Sequence, residues 1–188
     1  GTGGPEYFAT GAWRSRKREA GGGTLITQTS HWIDIALEAM GSPPVSVAGM
    51  TARRRFADVE VEDLGMGTVE LASGALLSIT GAMTVYPHQK VTIEVYGERG
   101  TAVYTGPDDF PPASSLRVLG VRKKRYSMPF PGLFSLQRNL IGFTRWVRDG
   151  APYDNEAGRS LPVLATVLAL YRSAETGRKE PIEDSGGR

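Results

Sequence analysis

Between Thr24 and Gly41, the residues Leu25, Trp32, Ile33, Ala36, Leu37 and Met40 recur at steps of three and four, the spacing of a helix with one buried stripe. Gly41 supplies the stop, and Gly21-Gly22-Gly23 breaks the chain just before the helix begins. Thr27, His31, Asp34 and Glu38 stack on the opposite, polar face. Ahead of them, Tyr7–Trp13 is aromatic and apolar enough for a short extended segment. The middle of the chain changes period. Val45–Arg55, Gly67–Ala72, Ala75–Ala82, Lys90–Tyr96, Gly100–Thr105 and Leu116–Tyr126 are short, rich in Val, Ile and Thr, and punctuated by Gly, Ser or Pro, which predicts six strands. Thr68-Val69-Glu70-Leu71 and Thr92-Ile93-Glu94-Val95 alternate polar and apolar positions, as strands with one buried face do. Ser73-Gly74 predicts a tight hairpin. The run Arg122-Lys123-Lys124-Arg125 suits an exposed edge strand, and Asp108–Pro112 reads as a loop.

Helical spacing then returns. Leu136, Leu140, Phe143 and Val147 share a stripe over Phe134–Asp149, ending at Gly150 and Pro152. Leu161, Leu164, Ala165, Leu168 and Tyr171 do the same over Leu161–Thr176, ending at Gly177. Ser160 would cap this last helix with Pro162 in its first turn; a start near Glu156 would instead put Pro162 inside it. Helix, strands, helices is an α+β order: a mainly antiparallel open sheet of about six strands with helices on one face. The predicted organisation is a single domain over residues 1–188, with tails at 1–6 and 183–188. Both parities of one strand region are apolar (Ala75, Leu76, Leu77, Ile79), so the uncovered sheet face is expected to self-associate, as a homodimer or homotetramer.

Composition narrows the function classes. The 188 residues carry 22 Lys+Arg against 20 Asp+Glu, a net charge of +2 that gives a nucleic-acid role little support. The basic runs Arg14–Arg18, Arg53–Arg55 and Arg122–Arg125 have acidic neighbours and no interleaved aromatics, so they read as solvated surface. No cysteine excludes disulfides, thiolate zinc sites and cysteine nucleophiles, and two histidines leave few ways to build a metal site. No apolar run is long enough for a membrane span and nothing resembles a signal peptide, so a cytoplasmic protein is expected.

Two local features could carry chemistry. Gly21-Gly22-Gly23-Thr24 precedes a helix and could cradle an anion, but it lacks the lysine of a phosphate-binding loop and the spaced glycines of a dinucleotide fingerprint. A close-packing turn is the better reading. His31, with Thr27 one turn before it and Asp34 after, could orient or pass a proton to a hydroxyl, although a lone helix histidine is more often structural. His88, beside Pro87, reads as a hairpin-loop residue.

Taken in order, these segments resemble one known arrangement. Gly11-Ala12-Trp13-Arg14, then Gly21 through Asp34 (GGGTLITQTSHWID) and Gly41, are similar to the C-terminal domain of the glucose-fructose oxidoreductase / inositol dehydrogenase / rhizopine-catabolism (Gfo/Idh/MocA) family. Val61-Glu62-Asp63, Ser73-Gly74-Ala75, Glu94 through Thr101, Tyr171-Arg172-Ser173-Ala174 and Thr176-Gly177-Arg178 extend the resemblance from about Tyr7 to Ile182. The resemblance implies a substrate-binding and oligomerisation half. Its partner is an N-terminal Rossmann domain that binds NAD or NADP and supplies a catalytic lysine, none of which lies in these residues. It implies a sugar, cyclitol or related polyol substrate, catalytic positions at His31 and Thr27, and substrate contacts from Trp13, Arg14, Gln28 and His31. It implies no cofactor-binding and no metal-binding residue in this chain. Thr27 stands where the family has an aspartate; it can hydrogen-bond a sugar hydroxyl but cannot act as a carboxylate base.

Two functions compete on this basis. One is the substrate domain of an NAD(P)-dependent dehydrogenase, the chain alone having no activity and no dinucleotide affinity. The other is a non-catalytic, stand-alone dimerising or ligand-binding module in which Thr27 marks lost chemistry.

Overall fold

The computed structural model describes residues 7–8, 11–56, 58–85, 89–106, 113–120, 124–129, 131–153 and 155–183. The chain forms two compact units, residues 1–88 with 160–188, and residues 89–159. The class is α+β and every strand pairing is antiparallel, as the pattern predicts, but the strands form two four-stranded sheets where one sheet of about six was expected.

In the first unit, β1 (Pro44–Ala52), β2 (Leu64–Leu71), β3 (Leu76–Ala82) and the two-residue β8 (Glu180–Pro181) form a sheet in the order β3-β2-β1-β8. Gly74 sits at φ +83° in the predicted hairpin between β2 and β3. The inner face carries Val47, Val69 and Ile79, which pack with Leu25, Ile33 and Leu37 and with Val163, Val167 and Leu170. These last six come from a π-helical turn (Leu25–Thr29), helix α1 (Ser30–Met40) and helix α3 (Ala157–Thr176). Glycines on the inner face let the helices come close. A Cβ on Gly65 would lie 2.5 Å from Cγ of Leu25, and one on Gly67 would lie 2.3 Å from a Leu170 methyl. Ser173, 1% exposed, accepts from the Gly49 amide (2.9 Å) and donates to the Arg178 carbonyl (2.6 Å), tying α3 to β1.

Residues 89–159 hold β4 (Thr92–Gly97), β5 (Gly100–Thr105), β6 (Ala113–Gly120) and β7 (Lys124–Pro129), paired in chain order, with helix α2 (Pro131–Asp149). The segment read as one strand, Leu116–Tyr126, is therefore parts of two, and Arg117 of β6 pairs with Arg125 of β7. The stripe Leu136, Leu140, Phe143 and Val147 of α2 is exposed, while Phe143 and Trp146 pack with Tyr153 just after the helix.

Other corrections are local. Tyr7 and Phe8 are helical and Ala12–Ser15 is a 3₁₀ turn, so Tyr7–Trp13 is not extended. The first helix starts at Thr24 as expected but runs as a π-turn over Leu25–Thr29 before it becomes α1. Helix α3 begins at Ala157, which places Pro162 inside it and removes Ser160 as a cap. The glycine stops hold: Gly41, Gly150 and Gly177 each follow their helix at positive φ. His88, the segment Asp108–Pro112 that was expected to be a loop, residues 1–6 and residues 184–188 lie outside the described residues. Among the described residues, no helix is long and apolar enough to cross a membrane.

Candidate functional site

The glycine turn is a set of backbone donors, and it is filled from within. Glu62, 8% exposed, accepts from the amides of Gly23 (2.7 Å) and Leu25 (3.0 Å) and from the Tyr171 hydroxyl (2.8 Å). Its own carbonyl accepts from the Thr24 amide at 3.0 Å. A Cβ on Gly23 would fall 1.8 Å from that carbonyl oxygen, so this position requires glycine, and one on Gly22 would fall 2.1 Å from the Tyr171 oxygen and displace the ring end. Free N–H groups at a helix start attract an anion, and here the anion is the protein's own carboxylate. Burial, with Glu62 second, pushes the Tyr171 phenol well above its ordinary value. Asp63, fully buried, does the same for another turn: it accepts from the amides of Arg54, Arg55 and Phe56 at 2.7–3.1 Å. Neither acid was singled out as a site residue from sequence. Their signal was two adjacent carboxylates between Val61 and Leu64, a context that demands buried donors.

A nicotinamide dinucleotide, which the resemblance implies, needs free N–H donors for its pyrophosphate. The Gly21–Thr24 turn does not fit that group, since Glu62 already occupies its donors with a like charge.

Downstream, the turn opens into the candidate substrate surface. The π-helical Leu25–Thr29 segment leads into α1, and single π-turns recur where a helix face is shaped for function. His31 is exposed on the first turn of α1. With Ile26, Ser30 and Asp34 it forms one wall of an open cavity of about 230 Å³, faced by Val163 and Leu164 of α3. Thr27 is engaged elsewhere: its hydroxyl donates to the Gly23 carbonyl at 2.7 Å. Ser30 likewise donates to the Ile26 carbonyl at 2.7 Å, leaving its oxygen to accept.

The remaining expected residues form a second cluster. The Arg14 guanidinium lies over the rings of Tyr7 and Trp13, each 4.9 Å from its central carbon. The Gln28 amide donates to the Tyr7 hydroxyl at 3.1 Å, which ties the cluster to the π-turn. The structure thus brings together Trp13, Arg14 and Gln28 through Tyr7, a residue the sequence did not single out.

Comparison with known proteins agrees with this architecture. The family profile described as GFO/IDH/MocA C-terminal domain matches residues 2–103. The chain is 23% identical over 171 residues to 1,5-anhydro-D-fructose reductase of Ensifer adhaerens, covering 91% of this chain and 51% of that protein. It is similar to the WlbA dehydrogenase from Bordetella pertussis, solved with NADH and UDP-GlcNAcA, at a TM-score of 0.76 and 26% identity over 97% of this chain and 51% of that one. The aldose-aldose oxidoreductase from Caulobacter crescentus, solved with glycerol, gives 0.74 and 25% over 90% of this chain and 50% of that one. The chain therefore spans about half the length of these relatives. With a profile match across more than half its length, the chain belongs to the GFO/IDH/MocA C-terminal domain family of oxidoreductases.

Proposed function

We propose that this chain is the substrate-facing and oligomerising domain of a cytoplasmic NAD(P)-dependent oxidoreductase acting on a sugar, cyclitol or related polyol. The observation that carries it is His31: exposed at the start of α1, on the wall of an open cavity, beside the oxygens of Ser30 and Asp34. A polyol offers several hydroxyls at once, and a wall with an imidazole, a hydroxyl and a carboxylate within one helical turn can meet them. The relatives point the same way, one solved with NADH and UDP-GlcNAcA, another with glycerol. The nicotinamide supplies hydride transfer when bound, on a Rossmann domain outside these residues. Within this chain, His31 holds or accepts the substrate hydroxyl proton, while Trp13, Arg14 and Gln28 orient the substrate.

One observation favours the second reading, a non-catalytic ligand-binding module. Thr27 cannot act as a base, and its hydroxyl is committed to Gly23. Full-length protein decides between them, assayed for reduction of NAD+ and NADP+ against a panel of polyols. Turnover that falls on the order of 10²–10⁴-fold on His31→Ala supports the enzyme. No dinucleotide-linked turnover on any polyol supports the module.

A further inference from the structure

The Arg14 cluster carries chemistry that a neutral polyol does not need. Arg14 is half-buried, and among the described residues no carboxylate lies within ion-pair distance of its guanidinium. Neighbouring Arg16, by contrast, pairs with Glu19 at 2.8 Å. The Arg14 guanidinium instead lies over two aromatic rings. The rings hold the cation by its charge, and among the described residues no carboxylate or carbonyl accepts from its N–H groups. Gly11 makes room for this. A Cβ there would lie 2.4 Å from one terminal nitrogen of Arg14 and 3.3 Å from the Trp13 ring nitrogen. The cluster is also joined to the substrate surface, because Gln28, which holds Tyr7, is three residues before His31.

We infer that Arg14, seated on Tyr7 and Trp13, binds an oxyanion borne by the substrate, so that the site takes an acidic sugar in preference to a neutral one. The planar guanidinium fork matches two oxygens of a carboxylate or a phosphate, and such charge-assisted pairs are the strong ones. The inference rests on the polyol reading above and narrows its substrate class.

The test titrates the protein with D-glucuronate, D-glucose 6-phosphate and D-glucose by calorimetry. At least one of the anions should bind tenfold or more tightly than glucose, and which one does so distinguishes a carboxylate from a phosphate. Arg14→Ala should abolish the preference. Gly11→Ala should weaken the preferred anion several-fold although the charge remains, because the new methyl displaces only the end of a flexible side chain. Circular dichroism checks that each variant is folded. Equal binding of all three sugars, no measurable binding of either anion, or an unchanged preference in Arg14→Ala overturns the inference. The two readings fail separately. Turnover that needs His31 but ignores the acid group sinks the Arg14 inference alone. Arg14-dependent anion binding without dinucleotide-linked turnover sinks the oxidoreductase reading alone.

Discussion

Glu62 and His31 stand at opposite ends of what a polar side chain can be for. Glu62 is nearly sealed from water and has three donors on its carboxylate, two from the glycine turn and one from Tyr171. Removing it strands those donors, so Glu62→Ala should cost about 3 kcal/mol in urea unfolding, and Tyr171→Phe, which loses one charged-acceptor bond, about 1.5 kcal/mol. His31 is exposed, so His31→Ala should leave the unfolding midpoint unchanged while lowering turnover; an unfolded variant would mean that the ring is structural. Tyr171 adds a pH signature. Its folded-state pKa is raised above the ordinary value of 10.0, so above pH 10 the unfolded chain releases a proton that the folded chain keeps. Stability present below that value should fall as pH rises beyond it. Melting curves between pH 9 and 11 should show a shallower decline for Tyr171→Phe than for the parent.

At the scale of elements, the sheet and helices meet through missing side chains. Gly65 is the cleanest case, since all three atoms that its Cβ would meet, at 2.5–2.8 Å, belong to Leu25. Gly65→Ala should therefore destabilise the domain by about 1–3 kcal/mol through overpacking. Leu25→Ala alone should cost about 2–5 kcal/mol through the cavity it leaves. The double variant should be less destabilised than the sum, because the new methyl enters the space that Leu25 vacates. A strictly additive cycle would mean that the two side chains do not share that space. This contact was not legible in the sequence: the predicted strand began only at Gly67, and nothing in the pattern showed that Gly65 faces Leu25. Strands with alternating faces, the Ser73-Gly74 hairpin and the helix stops at Gly41, Gly150 and Gly177 were legible, because each is set by its own neighbours. The π-turn was not: one extra residue in a turn barely disturbs a stripe that resumes at Trp32 and Ile33. Tyr7–Trp13 misled for a related reason. Its aromatics serve to seat Arg14 and to pack Phe8 on Phe56, not to alternate across a strand. The histidine site was half legible. Position alone put His31 on a polar face, but Thr27 shares that face in sequence while its hydroxyl turns back to Gly23.

At the scale of the whole molecule, the outer face of the β3-β2-β1 sheet remains to be covered. Its rows can be read from the register: Ala48 opposite Thr68 and Thr68 opposite Ser78, then Met50 opposite Met66 and Met66 opposite Thr80. None of these side chains is charged, and Met50 (69% exposed) and Leu76 (68%) project from it. The nearest charge on this face, Glu70, is already bonded to Lys179 and Ser46, which hold its carboxyl below the ordinary range. A broad, neutral, gently apolar face of this kind suits a second copy of itself, since a two-fold axis sets each row of methionines against its mate. We therefore expect a homodimer or homotetramer joined through this face, and light scattering on the purified protein should report at least twice the monomer mass. Met50→Lys places a charge where the two copies would meet and should weaken association tenfold or more, about 1.4 kcal/mol. It should do so without unfolding the subunit, because Met50 contributes to the exposed side and not to the core of Val47, Val69 and Ile79. A strictly monomeric parent, or a Met50→Lys variant that associates as strongly as the parent, would place the interface elsewhere.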